Sequence, residues 1–144
     1  MTAAAPPPCT LHAARQAILA APPLRSLRAT VEHGGGPDTL ICHDLTGDGE
    51  SDMAVTVFSG GTAGDIAWAV FRPTPTGWKL AYARLHAYKV GLFRSGRDLI
   101  DSEPVYRPGD PNCCPSGGFE QRRLSWNGRT FVVTSRRRNR TFQP

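Results

Sequence analysis

The chain has 144 residues, 40% hydrophobic and 20% charged, a balance that suits one folded domain with its own core rather than a disordered chain. No window supplies the ~20 apolar residues of a membrane-spanning helix, and fifteen glycines with thirteen prolines call for many turns and short elements. The net charge of +5 invites a polyanion reading, although fifteen of the seventeen basic residues are arginine, a skew that genome composition also produces.

No apolar core of a signal peptide precedes Cys9, yet residues 1–9, opening on Met-Thr-Ala-Ala-Ala-Pro-Pro-Pro, read as a linker or the remnant of a trimmed leader. A single domain is expected over 10–137, followed by a basic tail over 138–144. Thr10 is a natural N-cap for an alanine-rich helix from Leu11 to about Ala21, with Leu11, Ala14 and Ile18 on one face. Pro22-Pro23 stops it. Strands are then expected at Leu27–Glu32, Thr39–His43, Met53–Phe58, Ile66–Val70 and Gly77–His86.

Ser59-Gly60-Gly61-Thr62-Ala63-Gly64 lacks the lysine and following helix of a phosphate cradle and reads as a hairpin turn. Leu99–Tyr106 is a strand interrupted at Pro104, a position that suits a sheet edge. Phe119–Trp126 and Thr130–Arg136 flank Asn127-Gly128, the strongest short-range hairpin signal. The sum is an α+β fold: one N-terminal helix packed on a mostly antiparallel β-sheet of about six to eight strands.

One stretch states a chemistry. In Asp44-Leu45-Thr46-Gly47-Asp48-Gly49-Glu50-Ser51-Asp52, the residues Asp44, Thr46, Asp48 and Asp52 occupy positions one, three, five and nine of a calcium loop. Gly49 stands at the position-six turn, and the Glu50 carbonyl falls at position seven. Val55 occupies position twelve, where an EF-hand has glutamate, and Met53–Phe58 reads as a strand rather than a helix. A calcium loop that feeds a strand resembles the FG-GAP and integrin-alpha type of repeat. That resemblance implies calcium as the cofactor.

Cys9, Cys42, Cys113 and Cys114 allow three pairings. Adjacent cysteines rarely bond each other, so each of Cys113 and Cys114 is expected to join one of Cys9 and Cys42. Zinc fits less well, because only Cys9-x-x-His12 has knuckle spacing.

The helix ending Ile18-Leu19-Ala20-Ala21-Pro22-Pro23, the stretch Ala87-Tyr88-Lys89-Val90-Gly91-Leu92-Phe93, Asp110-Pro111-Asn112-Cys113-Cys114 and the closing Arg122–Gly128 hairpin resemble the actinobacterial LppP/LprE type of envelope lipoprotein. The resemblance implies an exported, envelope-associated domain with an envelope or extracellular partner.

No nucleophile elbow, paired catalytic glutamates or metalloprotease helix motif is present, so a non-catalytic role is expected. The alternative function is binding of a polyanion, nucleic acid or cell-wall polymer, through Arg122, Arg123, Arg136, Arg137, Arg138 and Arg140. No nucleic-acid motif accompanies these arginines.

Overall fold

The computed structural model describes residues 5–142; the first four residues of the expected linker and the last two of the expected tail lie outside them. The Thr10 hydroxyl caps α1 (Leu11–Ala20), accepting the Ala13 amide at 3.0 Å. Pro22–Leu27 then forms a 3-10 turn that runs into α2 (Arg28–Glu32). The strand expected over Leu27–Glu32 is therefore helical. Leu24, Leu27 and Val31 are all buried and recur at spacings of three and four, a helical stripe rather than a strand alternation.

Eight strands follow: β1 (Gly36–His43), β2 (Asp52–Phe58), β3 (Asp65–Thr74), β4 (Gly77–Arg84), β5 (Gly91–Ser95), β6 (Asp98–Pro104), β7 (Phe119–Trp126) and β8 (Phe131–Asn139). They make two four-stranded antiparallel sheets, ordered β1-β2-β3-β4 and β5-β6-β7-β8. This corrects the expected α+β arrangement of one helix on one sheet. The protein is mostly β, and its helical part is two short helices on one side of the first sheet.

The reason lies in which faces are apolar. Met53, Val55, Val57, Ala67, Ala69 and Phe71 pack with Ala14, Ile18, Leu24 and Leu27 under the helices. On the opposite side, Ala54, Trp68 and Val70 pack with Leu92, Leu99, Leu124 and Phe131 of the second sheet. With both faces covered, β2 is buried at six consecutive positions, Asp52 to Val57. One extended sheet would have left half of that surface in water.

Leu99–Pro104 is not an edge: β6 lies between β5 and β7, and Pro104 is its last residue. Arg138, expected in a tail, belongs to β8. The passage from β4 to β5 is the one crossing between sheets. It folds back on the first sheet through Ala87 N–H to the Ile66 carbonyl (3.0 Å) and Val90 N–H to the Asp65 carbonyl (3.0 Å). Among the described residues, no helix is long and apolar enough to cross a membrane.

Candidate metal centre

The calcium-type segment is the connection between β1 and β2, anchored at its base by the cross-strand pair His43 and Asp52. Leu45 draws it inward, being 1% exposed and packed in the core between the sheets. Gly47 (φ 84°) and Gly49 (φ 87°) take left-handed conformations that L side chains resist, which lets the chain curl round its own carboxylates.

Those carboxylates organise the loop from inside. Asp44 Oδ1 accepts the Gly47 amide at 2.7 Å, and its Oδ2 accepts the Gly49 amide at 3.0 Å. Asp48 Oδ1 accepts the amide of Glu50 at 2.9 Å. Asp52, fully buried, receives the Leu45 amide on Oδ2 at 2.7 Å and the Thr46 amide at 3.2 Å. Asp44, Asp48 and Asp52 each present an oxygen within 4.8 Å of the others, so this acidic cluster could hold a metal ion. Two oxygens of the loop stand out: Thr46 Oγ1 and Asp52 Oδ1 are buried without a well-formed hydrogen bond, the Thr46 hydroxyl lying close enough to the Asp52 carboxyl to favour its anion. Glu50 is exposed and is tied into the loop through its amide.

The three carboxyls differ in electrostatics. Desolvation pushes the Asp52 carboxyl above the usual range, and the negative charges of Asp48 and Asp44 push the same way. Asp44 goes down: desolvation opposes it, but the amides of Gly49, Gly47 and Thr46, with Arg97, favour the anion. Asp48 also goes down, chiefly through the Glu50 amide and then the Arg72 guanidinium.

Arg72 reaches Asp48 Oδ2 at 3.0 Å, and Arg97 stands 4.0 Å from Asp44 Oδ2. No local sequence signal marks either arginine, because β3 and the β5–β6 turn bring them in from far along the chain. The donor set is oxygen only, the donor class that hard cations take.

The cysteines pair differently from expectation. Cys9 bonds Cys42, with Cα atoms 6.1 Å apart, and Cys113 bonds its neighbour Cys114. Topology is the reason: Cys9 precedes α1 and Cys42 lies in β1 beneath it, whereas Cys113 and Cys114 sit in the β6–β7 connection of the other sheet.

The six arginines do not form one patch. Arg122 donates to Asp101 through Nη2 (2.6 Å) and Nε (2.9 Å), Arg123 to Asp98 (2.7 Å), and Arg136 to Glu120 (3.0 Å). Arg137 binds Gln121 Oε1 at 3.0 Å, and Arg138 the Gly117 carbonyl at 3.1 Å. Arg122 and Arg136 share a cavity of about 320 Å³ with Arg84, where Asp101, Glu103 and Glu120 match the cations one for one. Arg140 lies exposed in an open groove with Arg107 and Arg138.

Comparison with protein-family models, with curated proteins and with solved structures returned no match.

Proposed function

We propose that this chain is a non-catalytic, calcium-binding domain of the secreted or envelope-associated kind, in which the ion and the Cys9–Cys42 disulfide stabilise a β-rich fold. The observation that carries the reading is the gathering of three carboxylates in one loop, with Thr46 Oγ1 and Asp52 Oδ1 buried there without a well-formed hydrogen bond. A buried polar atom without a partner costs about 1–3 kcal/mol, and a cation supplies the missing partner. Asp44, Asp48, Asp52 and Thr46 would hold the ion, with the Glu50 carbonyl as a further oxygen. The ion would neutralise charge that otherwise repels.

The compartment rests on two supports. Disulfides persist in oxidising surroundings, and millimolar calcium suits a site with three carboxylates and no position-twelve glutamate, for which a Kd of roughly 10⁻⁴–10⁻³ M is expected. The resemblances to FG-GAP loops and to LppP/LprE lipoproteins point the same way.

The test is the melting temperature in millimolar calcium against chelator, for the native protein and for Asp48→Ala. Calcium should raise the native value and leave the variant's nearly unchanged. Magnesium should substitute poorly, because it demands a smaller octahedral shell. No shift in either protein means that the loop is a turn and the reading is lost.

A further inference from the structure

We propose that Cys113–Cys114 is a reversible two-electron redox site, opened by dithiols while the rest of the fold stays intact and leaving a paired-thiol site for thiophilic ligands.

Both residues are exposed, so a reductant reaches the bond directly. The segment around them is fixed by bonds in which neither cysteine side chain takes part. Asp110 Oδ2 accepts the Arg107 amide (2.7 Å), the Ser116 amide (2.8 Å) and the Ser116 hydroxyl (2.8 Å). The Asn112 carbonyl accepts Lys89 Nζ and the Tyr106 hydroxyl, each at 2.6 Å, and Tyr88 bonds the Asn112 side chain. The Lys89 ammonium stands 5.5 Å and 5.6 Å from the Tyr88 and Tyr106 ring centres. Beyond the cysteines, the Gly117 amide returns to the Val105 carbonyl at 2.9 Å. The frame therefore outlives the sulfur–sulfur bond.

Chain statistics separate this bridge from Cys9–Cys42. A disulfide stabilises a fold mainly by closing a long loop in the unfolded chain. Cys9–Cys42 closes one over a separation of 33 residues, whereas Cys113–Cys114 spans a single peptide bond. Adjacency alone holds its Cα atoms 3.8 Å apart, short of the ~4.4–6.8 Å that most disulfides keep. Reducing it takes little from the fold.

The chemistry balances with a dithiol as reductant. One reductant thiolate attacks either sulfur; the cysteine disulfide breaks, a mixed disulfide forms, and the other cysteine leaves as a thiolate that takes a proton. The second reductant thiol then attacks the mixed disulfide, so the reductant closes to its own disulfide and both cysteines end as thiols.

The experiment titrates the native protein with dithiothreitol, alkylates at each step and maps the labelled peptides, with melting temperature followed in parallel. Cys113 and Cys114 should label together at reductant concentrations on the order of tenfold below those that open Cys9–Cys42, with no fall in melting temperature. The reduced protein should then bind phenylarsine oxide one to one, and Cys113→Ser should abolish that binding. Coincident opening of both bridges, a melting temperature that drops as Cys113–Cys114 opens, or a reduced protein that ignores the arsenical each overturns the proposal.

Discussion

The Trp68 indole N–H donates to Asp101 Oδ2 at 3.0 Å, joining β3 of one sheet to β6 of the other. The same oxygen accepts Arg84 of β4 at 3.0 Å and Arg122 of β7 at 2.6 Å, so one fully buried carboxylate ties four strands. Removing this carboxylate leaves the Arg122 guanidinium and the Trp68 indole without their acceptor, while Arg84 keeps Glu103. Asp101→Ala should cost about 3–5 kcal/mol in urea unfolding, and Asp101→Asn less, because it keeps one acceptor. A loss below 1 kcal/mol for the alanine variant would show the cluster to be ornamental to stability.

Asp52 serves the loop in two ways, through the Leu45 and Thr46 amides and through its free Oδ1. Asp52→Asn should keep most of the apo stability while weakening calcium binding by on the order of tenfold or more in calorimetric titration. An asparagine variant with native affinity would place the ion elsewhere.

Burial raises Asp65 to about 6, with Thr56 opposing and the neighbouring Asp38 carboxyl adding to the rise. The folded protein thus binds that proton more tightly than the unfolded chain. Its contribution is complete below about 4, where both states are protonated, and is lost as pH climbs through about 6. Stability should fall by on the order of 1 kcal/mol between pH 5 and pH 7. Asp65→Asn should flatten that slope and gain stability at pH 7; an unchanged slope in the variant rejects the assignment.

Cys9–Cys42 pins the segment before α1, where the Pro8 carbonyl also accepts the Trp78 indole at 3.0 Å. The double variant Cys9→Ser, Cys42→Ser should lose about 2–4 kcal/mol and melt at a lower temperature. Equal melting temperatures in variant and parent would contradict this role.

What could be read from sequence was what closes locally. The calcium-type loop spans nine residues and carries its own carboxylates and glycines. The Asn127-Gly128 turn specifies its hairpin, with Asn127 Oδ1 accepting the amides of Arg129 and Thr130, each at 2.9 Å. Met53–Phe58 announces a strand but not that both its faces are covered, which depends on where Leu99, Leu124 and Phe131 arrive. That is why two sheets read as one. Arg72 and Arg97 were invisible for the same reason. The five residues of β5 were too few to carry a period, and the cysteine pairing follows from which sheet each cysteine sits in.

The strand order has a kinetic consequence. Each ladder joins strands adjacent in sequence, five of the six across eight residues or fewer and β6–β7 across fourteen, so most of them close with little loss of chain entropy. The late step is then the docking of two preformed meanders across the Trp68–Asp101 seam. We predict that Leu99→Ala, at that seam, speeds unfolding more than it slows folding, while Val57→Ala, inside the first meander, does the reverse. Equal effects of both on the folding limb of a chevron plot would mean that the sheets dock before they are complete.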